Sequence, residues 1–106
     1  MGMRQGEVWR ANQPEPVKRR PVALLSQDKS YRVRTSVIAA QVTTTIFDIP
    51  TQVFLDEKDG PLKKCAVNLD TITMTPKSLL SKRISALTPS KMAEVEEAIK
   101  FVLALK

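Results

Sequence analysis

The sequence predicts a mainly β protein: a small, strongly curved sheet or barrel of five to six strands, with a short helix or turn and one C-terminal amphipathic helix. Three observations carry that expectation. Short runs rich in Val, Ile, Thr and aromatic residues recur at tight spacing, punctuated by Pro, Gly, Asn and Asp. The seven prolines fall between those runs or near their ends, where a missing N–H removes little from a ladder. Only the last segment repeats apolar residues at three- and four-residue steps.

Residues 6–11, which include Val8 and Trp9, alternate like a first strand, and Pro14 and Pro16 make the following stretch a loop. Residues 21–26 form the next strand, opened by Pro21 and running into a turn at Gln27 and Asp28. Residues 27–34 are polar and basic and read as a loop. A strongly apolar strand follows at 36–42, closed by Thr43, Thr44 and Thr45. Residues 51–55 alternate again, 56–61 form an acidic turn, and 64–75 make a β segment rich in branched side chains. A short helix or turn over 76–82 leads to the last strand at 83–87. Thr88 then caps a helix with Pro89 at its first position and an apolar stripe of Met92, Val95, Ile99 and Val102. Glu96 and Lys100 are spaced to pair on its outer face. The 106 residues make one domain, 1–106, with a core that buries roughly two-thirds of the unfolded surface. Met1 to Met3 read as start residues ahead of it.

Charge divides the chain. Residues 1–35 hold eight basic and three acidic groups, 36–62 one and four, and 63–83 five and one, for a net +6 overall. A positive face of that kind suits a polyanion such as nucleic acid. Within it, Arg20 stands at a strand entrance and is held extended by Pro21, with Lys18 and Arg19 beside it. Guanidinium is planar, always charged and forks onto phosphate oxygens, so this cluster suits a phosphate site. The same charges also suit solubilising gatekeepers beside an apolar strand. No histidine is present, which removes the imidazole acid–base pair and the usual zinc sites. The single cysteine, Cys65, excludes an internal disulfide and reads as a buried strand residue. With no long apolar run and no signal layout, the expected location is the cytoplasm, away from membranes, with no cofactor.

The ordered segments resemble the MazF/PemK family of toxin endoribonucleases from bacterial toxin–antitoxin systems. They are Arg4-Gln5-Gly6-Glu7-Val8-Trp9, Arg20-Pro21-Val22 leading to Leu25-Ser26-Gln27-Asp28, and Val37-Ile38-Ala39-Ala40-Gln41-Val42-Thr43-Thr44. Pro50 with Val53-Phe54-Leu55, Val67-Asn68-Leu69-Asp70-Thr71-Ile72, and Leu87-Thr88 with Met92-Ala93-Glu94-Val95 complete the series. The resemblance implies a homodimer of SH3-like barrels that cuts single-stranded RNA and is neutralised by an antitoxin with an acidic tail. It assigns catalysis to Arg20 and Thr43, with Asp70 as the base and Glu15 behind it. Lys18, Arg19, Gln27, Tyr31, Arg32, Arg34, Gln41, Thr44, Thr45 and Asn68 are expected to contact RNA, with Tyr31 or Trp9 able to stack a base. Two departures stand out. The first loop is short and lacks the family's Gly-Ser-Glu-Gln-like stretch, and Thr73 stands where an arginine is common. A non-catalytic nucleic-acid-binding module, or a gyrase-poisoning toxin of the same fold, is the alternative.

Overall fold

In the computed structural model, which describes residues 2–56 and 63–105, β1 (Glu7–Asn12) and β2 (Arg19–Leu24) form an antiparallel hairpin. The Gln13 N–H donates to the Lys18 carbonyl at 3.0 Å and the Val17 N–H to the Pro14 carbonyl at 3.1 Å, which closes a tight turn over 14–17. Lys18 ends that turn with φ of 62°, a left-handed conformation that a Cβ disfavours. The polar stretch after β2 contains one short helix that the sequence reading missed, α1 (Ser30–Val33).

The chain continues through β3 (Ser36–Thr43), β4 (Gln52–Leu55) and β5 (Cys65–Pro76). Most of the expected acidic turn at 56–61 lies outside the described residues. A 3₁₀ turn (Lys77–Leu79) leads into β6 (Leu80–Ala86), and the C-terminal helix is α2 (Pro89–Val102). β6 thus begins three residues before the expected start at 83, because Leu80 pairs with Ala11 and is buried.

Among the described residues the six strands form one antiparallel sheet in the order β4-β5-β3-β2-β1-β6. β5 is long, and Ala39 pairs Thr73 while Gln41 pairs Asn68, so residues 69–72 all oppose Ala40. This wide bulge bends β5 and re-aims the strand on either side of it. The Gln41 N–H is recovered by the Thr71 hydroxyl at 2.9 Å, and that hydroxyl donates to the Asn68 carbonyl at 2.6 Å.

Neighbouring residues on each strand face opposite ways, so the sheet carries two cores. Val8, Ala23, Ala40, Val42, Val67 and Leu69 pack with Val95 and Ala98 of α2, and Met92, Ile99 and Val102 flank them. The stripe read from the sequence is therefore the docking face of α2. On the opposite face, Trp9, Ala11, Val22, Leu24, Tyr31, Val37, Ala39 and Leu80 pack with Met3, so the chain's third residue is part of the domain's core. Cys65 is buried, as its neighbours imply. Thr88 caps α2 by accepting from the Lys91 N–H at 3.2 Å. Lys100 sits 3.9 Å from Glu97, an i, i+3 partner, in place of the expected Glu96 contact. No helix among the described residues is long and apolar enough to cross a membrane.

Candidate functional site

Pairing between β2 and β3 sets the site. Val22 lies opposite Gln41, and carrying that register two residues towards the strand ends puts Arg20 opposite Thr43. The paired ladder ends at Val22 and Gln41, and the alternation along each strand gives Arg20 the face of Val22 and Thr43 the face of Gln41. Pro21, between them in the weave, walls two adjoining hollows. One, of about 630 Å³, is lined by Arg10, Arg19, Arg20, Lys82, Arg83 and Ile84. The other, of about 190 Å³, is lined by Val42, Thr43, Thr44, Lys63 and Cys65. A guanidinium and a hydroxyl thus line the hollows on either side of one proline, near the turn of the hairpin.

Thr43 is oriented by the loop that follows it. Its Oγ1 accepts the Thr45 N–H at 3.1 Å, which occupies a lone pair and leaves the O–H to donate elsewhere. Thr45 is held in turn from its other side: Gln52 Nε2 donates to the Thr45 carbonyl at 3.3 Å, while Gln52 Oε1 accepts the Phe47 N–H at 2.7 Å. Gln52, to which the sequence reading gave no role, clamps the loop that aims the hydroxyl.

The second wall of the larger cavity was also missed. Arg10 pairs with Pro21 on one side and Lys82 on the other, and Trp9 pairs with Arg83, so β1 carries β6 alongside Arg20. Arg10, Lys82 and Arg83 join Arg19 and Arg20 to make a cavity with five cations. The one signal in the sequence was the basic 63–83 segment, and nothing local assigns it to β2. Glu7 supplies the counter-charge, with Arg83 Nε 2.9 Å from its Oε2.

The remaining candidates divide by position. Gln41 and Asn68 are opposed in the next row from Thr43, and the buried Gln41 Oε1 has no hydrogen-bond partner among the described residues. Lys18 sits on the hairpin turn, 3.9 Å from Glu15, with both side chains mostly exposed. Gln27, Tyr31, Arg32 and Arg34 lie on the connection from the far end of β2 to the start of β3, roughly 13 Å of strand or more from Arg20. The structure does not bring them to the Arg20–Thr43 row. Tyr31 has no face open for stacking a base: it is buried, and its hydroxyl donates to the Ser26 carbonyl at 2.8 Å. Burial, reinforced by the Asp28 and Glu7 carboxylates, pushes its phenol well above the ordinary range. Trp9 is likewise core, with its Nε1–H bound to Glu7 Oε1 at 3.1 Å. Asp70 is exposed on the β5 bulge, its N–H donating to Asn68 Oδ1 at 3.0 Å. It stands four residues along β5 from Ala66, the partner of Thr43, within the stretch that bulges opposite Ala40.

Known proteins share this fold over nearly the whole chain. Residues 4–103 match the family described as PemK-like, MazF-like toxin of type II toxin–antitoxin system. The probable endoribonuclease MazF5 of Mycobacterium tuberculosis is 31% identical over 97 residues, covering 91% of this chain and 88% of that protein. The endoribonuclease MazF of Staphylococcus epidermidis is 32% identical over 112 residues, covering 97% and 92%. A solved endoribonuclease in complex with its cognate antitoxin, from a mycobacterial species, superimposes with a TM-score of 0.87 at 29% identity, covering 98% of this chain and 97% of that one. The order of segments, the sheet that places them and these likenesses agree: the chain belongs to the PemK-like, MazF-like toxins of type II toxin–antitoxin systems.

Proposed function

We propose that this toxin is an endoribonuclease that cuts single-stranded RNA, messenger RNA above all, at preferred sequences in the cytoplasm and so halts translation and growth. One observation supports the reading: continued past its last pair, Val22 with Gln41, the β2–β3 register runs towards Arg20 and Thr43, beside a cavity with five cations. RNA brings its own nucleophile. The 2′-oxygen attacks the adjacent phosphorus, the bond from phosphorus to the 5′-oxygen breaks, a protein base takes the 2′ proton, and the leaving 5′-oxygen takes a proton from Arg20, which water then restores. The products carry a 2′,3′-cyclic phosphate and a 5′-hydroxyl, and no metal or cofactor is required by this route.

Arg20 is suited to fork onto the non-bridging oxygens as charge builds there, and the Thr43 O–H to donate to the same group. Two exposed carboxylates are the candidates for proton acceptor: Asp70 on the bulge, and Glu15 in the turn of the hairpin that leads to Arg20. Comparing Asp70→Asn with Glu15→Gln assigns the role, since the base variant loses the acidic limb of the pH–rate profile. The toxin acts as a homodimer, and its antitoxin presents an acidic tail to the cationic cavity; the mycobacterial relative solved with its cognate antitoxin supports that pairing.

The test is a matched pair of oligoribonucleotides, one with a 2′-deoxy nucleotide at the mapped cut position. Cleavage of the all-ribose strand alone, to 5′-hydroxyl ends, is the expected result. Cutting of both strands refutes attack by the 2′-hydroxyl, and DNA breaks without RNA cleavage in expressing cells point to gyrase poisoning.

A further inference from the structure

We infer that Arg83 is a pre-set contact for a second phosphate of the bound strand and that Glu7 is the residue that sets it, an inference that rests on the ribonuclease reading above. Glu7 is a buried carboxylate, only 7% exposed, at the start of β1. Its Oε1 accepts the Arg4 N–H at 2.9 Å and the Trp9 Nε1–H at 3.1 Å. Its Oε2 meets Arg83 Nε at 2.9 Å. Both oxygens are therefore engaged, so Glu7 is a holder of cations and N–H groups and not a proton acceptor for the reaction.

The consequence falls on Arg83. A free arginine on a strand edge samples many rotamers, and fixing it on a ligand costs entropy. Here the fixing is done in advance by a carboxylate that is out of solvent, where such a pair is little screened. Contact through Nε keeps the outer N–H edge of the guanidinium for another acceptor. Arg83 remains 55% exposed at its side chain and lines the same cavity as Arg20.

Spacing says which acceptor. Arg83 is opposite Trp9, Trp9 is opposite Val22, and Arg20 is two residues from Val22. Two strand spacings across and two residues along separate the Arg83 and Arg20 Cα atoms by roughly 12 Å. With Arg83 held back at Nε, the two guanidinium groups suit different phosphates of one strand. Arg83 thereby fixes where the strand lies while Arg20 meets the phosphate that reacts.

The test uses the full-length protein and a single-stranded RNA whose cut position is 2′-deoxy, with binding measured across a salt series and steady-state cleavage measured on the all-ribose strand. Arg83→Gln is expected to raise KM on the order of tenfold with a much smaller change in kcat. It also makes the salt dependence shallower by about 0.7 in log K against log salt. Glu7→Gln keeps the Arg83 charge, so the slope stays while KM rises, and adding Arg83→Gln on top costs less than it does alone. Arg83→Lys, which keeps the charge and loses the fork, stays at the parental slope with an intermediate KM, and it decides the matter if Glu7→Gln fails to fold. Parental KM and slope in Arg83→Gln overturn the inference while leaving the nuclease intact. A parental protein that cuts no RNA removes the underlying reading instead.

Discussion

Raising the salt concentration is expected to release RNA from this protein with a steepness set by the cations of the proposed RNA cavity. Arg10, Arg19, Arg20, Lys82 and Arg83 line it, and each can replace one condensed counterion on a phosphate. For single strands the logarithm of affinity falls by about 0.7 per phosphate contact for each tenfold rise in salt, so five contacts give a slope of about −3.5. Between roughly 50 and 200 mM, the affinity then drops about 130-fold. Fluorescence anisotropy with a labelled, uncleavable oligonucleotide reads this directly. Arg19→Gln lowers the steepness to about −2.8, and the same salt step then costs about 50-fold. The paired variant Arg32→Gln with Arg34→Gln leaves a short strand's slope unchanged, because those residues lie beyond the opposite ends of β2 and β3 from Arg20 and Thr43. A parental slope near −1 refutes the reasoning, as does a slope that answers to Arg32 and Arg34 but not to Arg19.

Gln52→Leu frees the loop that follows Thr43 and is expected to lower kcat while leaving the RNA affinity and its salt slope near parental; an unchanged kcat removes Gln52 from the positioning of the hydroxyl. Tyr31 offers a pH test of the fold. Its phenol titrates higher in the folded protein than in the unfolded chain, so its contribution is fully present below the ordinary phenol range, about 10, and is lost as pH rises through that range and beyond. Melting temperatures taken at rising alkaline pH fall further for the parent than for Tyr31→Phe, and parallel curves contradict the argument. Thr88→Ala removes the oxygen that accepts the Lys91 N–H and lowers stability by about 1 kcal/mol in denaturant titrations.

Local signals in the chain revealed most of the elements and part of the candidate site. Period-two alternation announced β1 and β4, a run of apolar residues announced β3, and the stripe from Met92 to Val102 announced α2, because each depends only on where a segment's apolar residues fall. Pro21 likewise betrayed the extended backbone at Arg20. Neighbour relations across the sheet were less accessible. Gln27, Tyr31, Arg32 and Arg34 were expected to contact RNA as part of a polar, basic loop, yet that loop leaves β2 at the end far from Arg20. Arg10, Lys82 and Arg83 drew no attention because their meeting with Arg20 depends on β1 lying between β2 and β6, a pairing of residues 69 to 79 apart in the chain. The β5 bulge was hidden for a related reason: its branched residues read as uninterrupted strand, and only the register against β3 shows four residues opposite one. Tyr31 illustrates the reverse error, an aromatic in a basic loop that folding commits to the core.

The account stands or falls on Arg20 and Thr43 acting on one phosphate. A double-mutant cycle with Arg20→Gln and Thr43→Val, read as single-turnover cleavage of one oligoribonucleotide, tests that most directly. Each single variant is expected to lose on the order of a hundred- to a thousand-fold in rate, and the double variant little more than the worse of the two, because groups that serve one transition state fail together. Losses that multiply in the double variant, or a single variant that cuts at the parental rate, contradict it.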